Sequence, residues 1–407
     1  MRDQHKGNCE LDELRVSGTC NVGWCSNTPI NETMDSEGIP SLQRVGFAAL
    51  DPNAPPHRSV DNPEVETLRQ FLKENNGIAG LEICQPHELD RIARIFYRDG
   101  FVVVDNLLDS IQLSTWREGC SAVLRDILVH KGHEGRKYIT ETNRLPHRYS
   151  YGTASASRQQ LHRWEWASMV DLPTTTPILK KLFGSADYYV WGSGGDLCLP
   201  GAVEYQALHS DLQENFQISD ARLAQAQKTG IDTGDIDEVE GLDPRLHQLI
   251  VQRTPPMITI NFLMSDLTWE NGPIRQIPGT HLSAGKIPSQ SEEPQWMRTS
   301  TLVGAKAGAG MFRDNRGWHG ATPNLSLEVR ALPDVEYSAP WASKRGVHRS
   351  MPDEIWQSLS EHGQTITQWT REESDVWPAG AGVMHPIESV RRKAKDIAIE
   401  SIVSKPS

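Results

Sequence analysis

Short runs that are either apolar or alternately apolar and polar recur between residues 101 and 337, and glycine, proline or asparagine separates them. Runs of this kind predict β-strands, because alternate side chains of a strand point to opposite faces and a buried strand is apolar on both. The glycine run at 192–195 predicts a turn. It is not a nucleotide-binding loop, since it lacks a Walker lysine and the helix that a dinucleotide fingerprint needs. The predicted strands are residues 101–104, 188–192, 205–213, 257–264, 274–277 and 329–337, with another that runs from Gly308 towards Trp318 and His319.

Apolar residues at helical spacing flank this β-rich region. They predict a short amphipathic helix over residues 63–74, a second from Pro86 to a break at 99–100, and a third capped at Asp109. Residues 353–369 and the basic segment 391–395 favour further helices. The whole pattern predicts a mainly β fold with flanking helices, either a sandwich or a barrel, and a jelly roll is the two-sheet form of that architecture.

The chain divides into three parts. We expect residues 1–84 to form an N-terminal extension that packs on the core, residues 85–345 to form the β-domain, and residues 346–407 to form a C-terminal helical segment. A polar, acidic insert at 214–252 follows one of the predicted strands. This insert is either a lid over a site or a solvent-exposed surface segment without a role in the site.

Composition and charge indicate a globular protein and argue against some classes of partner. The 407 residues are 37% hydrophobic and 23% charged, which is typical of a globular protein. The net charge of −12 argues against nucleic acid or an anionic membrane as a partner, and no apolar run is long enough to cross a bilayer. The six cysteines form no Cys-x-x-Cys pair and the N-terminus lacks an export signal, so we expect reduced thiols and a cytoplasmic location.

Candidate chemistry begins with His209 and Asp211, which a strand would place side by side on one face. An imidazole and a carboxylate are two of the three ligands in the facial triad of non-haem Fe(II) oxygenases. The alternative is chance, because a chain with 14 histidines contains His-x-Asp pairs without function.

His319 and Arg330 strengthen the metal hypothesis. A facial triad needs a third ligand from a distant strand, and His319 lies far along the chain in Trp-His-Gly. Arg330 follows on the next predicted strand, and its guanidinium offers two parallel N–H donors to the distal carboxylate of a dicarboxylic co-substrate.

Two further features have competing interpretations. Trp164 and Trp166 form an aromatic cluster that is a candidate substrate contact, although aromatic pairs in loops more often only pack. Arg313 is one of several basic residues near the predicted core, where it meets either an anionic substrate or the solvent.

Residues 271–281 read Asn-Gly-Pro-Ile-Arg-Gln-Ile-Pro-Gly-Thr-His. This segment resembles the Asn-Gly-Pro-Leu-x-x-Ile-Pro-Gly-Ser-His signature of the phytanoyl-CoA dioxygenase family, and residues 99–105 resemble the start of that family's domain. The resemblance covers about residues 86–339. It implies a double-stranded β-helix, which is a cupin-like jelly roll, and an oxidoreductase that uses Fe(II), 2-oxoglutarate and O2.

The same resemblance implies the roles of the site residues. It makes Arg330 the ligand of 2-oxoglutarate and His281 a structural residue. The family often has serine or threonine where this chain has Ala321, so the second polar contact to 2-oxoglutarate is Thr322, Gln206 or another residue. The implied iron ligands are His209, Asp211 and His319.

The implied reaction is hydroxylation of an unactivated C–H bond in a small organic substrate, with decarboxylation of 2-oxoglutarate to succinate and CO2. Related halogenases replace the carboxylate ligand with a small residue, so Asp211 favours hydroxylation, with desaturation or cyclisation as variants. The alternatives are the same chemistry on a protein side chain and a non-catalytic jelly-roll binding protein. The complete ligand set argues against the second of these.

Overall fold

A computed structural model of the chain describes residues 63–74, 81–129, 148–152, 159–203, 205–212, 255–282, 286–289, 292, 305–342, 344, 347 and 349–372. The candidate lid at 214–252, the basic segment 391–395 and most of the extension 1–84 lie outside the described residues. No helix in these ranges has the length and apolarity that a membrane span requires.

Helices and short strands alternate at both ends of a β-rich middle. The helices are α1 (Pro63–Glu74), α2 (Leu89–Asp99), α3 (Ser110–Val129), α4 (Trp164–Ala167), α5 (Thr176–Phe183), α6 (Asp353–Gln357) and α7 (Glu361–Thr367). The strands are β1 (Ile83–Cys84), β2 (Phe101–Val104), β3 (Arg148–Tyr151), β4 (Tyr189–Cys198), β5 (Met257–Phe262), β6 (Ile274–Gln276), β7 (Gly310–Asp314), β8 (His319–Ala321), β9 (Arg330–Ser338), β10 (Met351–Pro352) and β11 (Arg371–Glu372).

Two sheets enclose the functional region. The large sheet has the order β1-β2-β7-β5-β9-β4-β3, and the small sheet consists of β6 and β8. Single bridges extend the small sheet, as between Ala202 and Asn324 and between Asn271 and Asn324. This arrangement, with helices on the outside, confirms the predicted mainly β jelly-roll fold.

Alternation along β5 shows how the large sheet divides core from cavity. Ile260 and Phe262 are buried in the main apolar cluster, where Phe262 packs on Trp116 of α3 with ring centroids 4.4 Å apart. Thr259 and Asn261 point to the other face, which borders a cavity. The period of two therefore gives this strand an apolar side towards the helices and a polar side towards the site.

Gly100 connects α2 to the large sheet in a left-handed conformation with φ of 82°. A Cβ at this position would lie 2.5 Å from Nδ1 of His281, so only glycine allows the close approach. The Gly279 amide donates to the Asp99 carbonyl (2.8 Å). The signature segment 271–281 thus holds the start of β2, in agreement with the structural role expected for His281.

The predicted turn at residues 192–195 is wrong, because these glycines lie inside β4. A Cβ on Gly194 would lie 2.1 Å from the Tyr151 carbonyl oxygen, and one on Gly195 would lie 2.4 Å from the Tyr151 hydroxyl. The glycines therefore serve close packing of β3 on β4 rather than a change of direction.

Three other element predictions need correction. The stretch predicted as a strand at 205–213 is described through Leu212. It forms no regular strand there and joins the small sheet through the bridge between His209 and His319. The strand predicted from Gly308 to His319 is two strands in different sheets, β7 and β8. Residues 353–369 form two short helices, α6 and α7, instead of one. The helix predicted over residues 63–74 is confirmed as α1.

Candidate functional site

Backbone pairing brings the two candidate histidine ligands together. His209 and His319 form an antiparallel bridge in which each amide donates to the other's carbonyl, at 3.0 and 2.9 Å. Directly opposite residues of such a pair project from the same face, and the two imidazole ring centroids lie 4.3 Å apart.

Asp211 completes the cluster from the position two residues after His209. Its Oδ1 lies 3.7 Å from Nε2 of His209, and its Oδ2 lies 3.5 Å from Nε2 of His319. One donor atom from each of the three residues falls within 4.8 Å of the others. The sequence prediction that His209, Asp211 and His319 lie together is therefore met by the geometry.

Backbone carbonyls orient both imidazole rings. Nδ1 of His209 lies 3.0 Å from the Ala207 carbonyl oxygen, and Nδ1 of His319 lies 3.0 Å from that of Gly317. A proton on each Nδ1 leaves both Nε2 atoms as neutral lone-pair donors that face Asp211. Two imidazole nitrogens and one carboxylate, all on one side, fit a divalent transition metal such as iron.

Arg313 of β7 holds the carboxylate of Asp211. Its Nη1 donates to Asp211 Oδ2 (2.6 Å), and its Nε donates to the side-chain oxygen of Asn261 (3.1 Å). Burial alone would raise the pKa of Asp211, but Arg313 and the two histidines lower it below its usual range. The carboxylate therefore stays ionised, as a metal ligand must be.

Both histidines have a lowered pKa. Burial holds the pKa of His319 well below its usual value, and the positive charge of Arg313 lowers it further. Burial also lowers the pKa of His209, although Asp211 acts in the opposite direction. The neutral form that binds metal therefore dominates at neutral pH.

Arg330 is fully buried at the start of β9. Its Nε donates to the Gly272 carbonyl (2.9 Å), whereas Nη1 and Nη2 are buried without a hydrogen-bond partner among the described residues. Nη1 lies 4.0 Å from Oδ1 of Asp196, which lines the cavity. Two unsatisfied parallel donors suit a carboxylate ligand, so this residue fits the distal group of 2-oxoglutarate.

Thr322 and Gln206, the two residues predicted as the second contact to 2-oxoglutarate, differ in their hydrogen bonds and in their position relative to the cavity. The Thr322 hydroxyl donates to the Pro273 carbonyl (2.6 Å), so its only proton is already used. Gln206 accepts at its Oε1 from the Ala321 amide (3.0 Å). Of the two residues, Gln206 is the one that lines the cavity, so it stays the candidate for this contact.

A cavity of about 410 Å³ lies between the sheets and contains the three metal-site residues. Arg313 lines it, but neither Trp164 nor Trp166 does. Trp166 is fully buried, and its Nε1 donates to the Gly194 carbonyl (2.8 Å). Trp164 is 48% exposed. The sequence interpretation of Trp164 and Trp166 as substrate contacts is therefore dropped.

Four charged residues that line the cavity were not predicted from the sequence. Two of them, Asp334 and Glu336, could have been found from their spacing. They follow Arg330 by four and six positions, and a strand places residues at even spacing on one face. The other two form an ion pair between β3 and β4, and one of them lies beside the glycines mistaken for a turn. The four residues are Asp334, Glu336, Arg148 and Asp196.

A sequence model of the phytanoyl-CoA dioxygenase family matches residues 96–332, which is more than half of the chain. The chain belongs to the phytanoyl-CoA dioxygenase family. Members of this family are iron- and 2-oxoglutarate-dependent oxygenases, so the expected oxidoreductase class and its cofactors are confirmed. The matched region contains every residue of the candidate triad together with Arg330.

Solved structures with similar folds include three with low sequence identity. The non-haem alpha-ketoglutarate-dependent carbocyclase SnoK from nogalamycin biosynthesis is 18% identical, with a TM-score of 0.40 over 63% of this chain and 87% of that chain. AviO1 from Streptomyces viridochromogenes is 16% identical, with a TM-score of 0.39 over 65% and 99%. EctD from S. alaskensis, solved with 2-oxoglutarate and 5-hydroxyectoine, is 16% identical, with a TM-score of 0.41 over 64% and 82%. No curated protein matches the sequence significantly.

Proposed function

We propose that this protein hydroxylates an unactivated C–H bond of a small organic molecule, with His209, Asp211 and His319 holding the iron and Arg330 binding 2-oxoglutarate. The observation that carries the proposal is the combination of three converging donors with a buried guanidinium whose Nη atoms have no hydrogen-bond partner among the described residues. When bound, iron and 2-oxoglutarate supply the oxidising chemistry, in which O2 is consumed and succinate and CO2 are formed.

The chain's own residues prepare the site for that chemistry. Arg313 keeps Asp211 ionised and fixes the orientation of its carboxylate. Carbonyl contacts hold the Nε2 atoms of the histidines towards the same point. The burial of Arg330 strengthens its attraction for a carboxylate, because little water competes for its N–H groups.

The volume and the charge of the cavity support a small substrate. Its volume of about 410 Å³ is in the range that small-molecule pockets occupy, roughly 300–1,000 Å³. Its lining contains four carboxylate residues and two arginines, so a nucleic acid or an anionic lipid surface would meet repulsion there. The cytoplasmic location remains part of this proposal. It is supported by Cys84, Cys120 and Cys198, which form no disulfide in the part of the chain that the structure describes.

The decisive test is formation of succinate from 2-oxoglutarate. Protein loaded with Fe(II) without oxygen is mixed with 2-oxoglutarate, O2 is admitted, and succinate is measured for wild type, Asp211→Ala and Arg330→Ala. Slow turnover in wild type that disappears in both variants is expected, because one variant loses a metal ligand and the other loses the co-substrate clamp. Asp90→Asn and Arg98→Lys change exposed residues of α2 and serve as controls with unchanged turnover.

Two outcomes would overturn the proposal. Wild-type protein that neither binds iron nor forms succinate would favour the non-catalytic binding protein. Turnover that survives Arg330→Ala would remove the assigned role of the arginine. Once a substrate is found, the product mass separates hydroxylation, which adds an oxygen atom, from desaturation or cyclisation, which removes two hydrogen atoms.

A further inference from the structure

Asp334 occupies an unusual position on the cavity face of β9. It pairs in register with Asn261 of β5 and Gly194 of β4, so it lies in the middle of the large sheet. Its Oδ1 is buried without a hydrogen-bond partner among the described residues. A buried carboxylate oxygen without a donor is costly, and its position in the cavity wall points to a donor that arrives with a ligand.

The charges around Asp334 are unevenly compensated. Of the cationic residues described in the cavity lining, Arg148 pairs with Asp196 and Arg313 pairs with Asp211. No lysine or arginine of the described residues lies within ion-pair distance of Asp334. Glu336, which is 91% buried, follows on the same face of the strand and lines the same cavity. This wall of the cavity therefore carries two carboxyl groups on one face of β9.

The local electrostatics agree with this description. Burial raises the pKa of Asp334 well above its usual value, and the nearby Glu336 raises it further. Asp196 and Asp211 act in the same direction, while Arg313 opposes them. These effects favour a proton on the Asp334 carboxyl group, and a bound cation would take the place of that proton.

The position of Asp334 also relates it to the metal site. Its neighbour Asn261 accepts a hydrogen bond from Arg313, and Arg313 donates to Asp211. The strand β5, which carries Asn261, therefore lies between Asp334 on β9 and Arg313 on β7. Trp191 and Met257 offer apolar surface in the same cavity.

We infer that Asp334, assisted by Glu336, binds a cationic nitrogen group of the substrate, an amidinium, guanidinium or ammonium, and so selects basic small molecules. This inference rests on the proposed function, since it concerns the substrate of that same cavity. A planar amidinium or guanidinium suits the site best, because it can donate two parallel hydrogen bonds to a carboxylate.

The test uses matched probes that differ in charge but hardly in shape. Benzamidinium is compared with benzamide, and n-butylguanidinium with n-butylurea, by calorimetric titration of anaerobic protein loaded with Fe(II) and 2-oxoglutarate. We expect each cation to bind wild type about tenfold or more tightly than its neutral partner, since hydrogen bonds to charged groups exceed neutral ones by roughly that amount. In Asp334→Asn the ratio should fall to near one, and Glu336→Gln should reduce it in part. Asp90→Asn should leave it unchanged.

Binding of 2-oxoglutarate in the same titrations separates the two proposals. Wild type that binds 2-oxoglutarate but shows no preference for either cation, including no binding of any probe, overturns this inference and leaves the proposed function standing. A preference that persists in both Asp334→Asn and Glu336→Gln overturns it as well. Wild type that fails to bind iron or 2-oxoglutarate overturns the proposed function itself.

Discussion

Arg313 and Asp314 are neighbours on β7, and each belongs to a carboxylate–arginine pair. Asp314 accepts from the Nε of Arg316 (2.8 Å) and from its backbone amide (3.0 Å), while Nη2 of Arg316 reaches the other oxygen. Arg313 contacts only one oxygen of Asp211 and leaves Oδ1 towards His209. The two pairs have the same chemical groups, but one uses both carboxylate oxygens internally and the other keeps one available.

This difference separates a structural pair from a functional one. Asp314 is 1% exposed, lies beside His281 and donates its own amide to the Gly100 carbonyl, so it fixes the junction of α2, β2 and the signature segment. The Asp211 side chain is 33% exposed and faces the cavity. A carboxylate oxygen that its arginine leaves available, rather than the presence of an ion pair, marks the functional site.

The largest expected effect is on metal binding in Asp211→Asn. Loss of a residue that only supports a ligand already weakens metal binding by about 10–100-fold, so loss of the ligand charge should weaken Fe(II) binding by at least about 100-fold. The asparagine still offers an oxygen to Arg313, so the melting temperature of the metal-free protein should change little. Anaerobic iron titration and thermal unfolding measure both quantities. Iron affinity close to that of wild type would contradict the assigned role of Asp211.

The matching change in the other pair should affect stability instead. Asp314→Asn leaves Arg316 buried without its counter-charge, which typically costs roughly 3–5 kcal/mol of unfolding free energy. Denaturant unfolding of the metal-free protein measures the loss, and the folded fraction should bind Fe(II) as wild type does. A variant that loses iron affinity without losing stability would remove the distinction between the two pairs.

A smaller effect is expected for Arg313→Gln, and it concerns pH. Arg313 lowers the pKa of both Asp211 and His319, so its removal raises both pKa values and lets protons compete with the metal at higher pH. The pH at which half of the metal is lost should therefore rise, by about one unit for a charge at this distance. Iron titrations at stepwise lower pH test this, with Arg98→Gln as the exposed control. A midpoint that stays or falls would contradict the electrostatic account.

The smallest expected effect distinguishes Gln206 from Thr322. Because the Thr322 hydroxyl proton is held by the Pro273 carbonyl, Thr322→Val should change the Kd of 2-oxoglutarate by less than about twofold. Gln206→Met removes a side-chain amide from the cavity and should raise that Kd roughly 3–10-fold, as expected for one lost hydrogen bond. Anaerobic calorimetry on iron-loaded protein measures both, and the reverse order would restore Thr322 as the contact.

Local sequence patterns and the family resemblance predicted two parts of the site, the pair of His209 with Asp211 and the segment 271–281. The spacing of His209 and Asp211 predicts a shared face in any extended segment, and that expectation is met although the segment is not a regular strand. The segment 271–281 predicts its own conformation through Gly272, whose φ is 75°. Its carbonyl at Gly272 then positions Arg330.

Other features depend on contacts that the sequence does not encode locally. The strand β3 pairs antiparallel with β4, although the two segments are far apart in sequence. This pairing explains the glycines of β4 and the ion pair of Arg148 with Asp196. Trp166 looked like a substrate contact because nothing in its neighbourhood reveals that it packs between Trp116 and Tyr151. Burial in the tertiary structure, and not residue type, decides these roles.

The most direct test of the central claim is the order of binding measured by anaerobic calorimetry. Fe(II) is titrated into metal-free protein, and 2-oxoglutarate is then added to wild type, Asp211→Asn and Arg330→Ala. The account predicts one Fe(II) per chain in wild type, tight 2-oxoglutarate binding only after iron, no iron in Asp211→Asn, and iron without 2-oxoglutarate in Arg330→Ala. Wild-type affinity for 2-oxoglutarate in Arg330→Ala, or iron bound normally by Asp211→Asn, would contradict it.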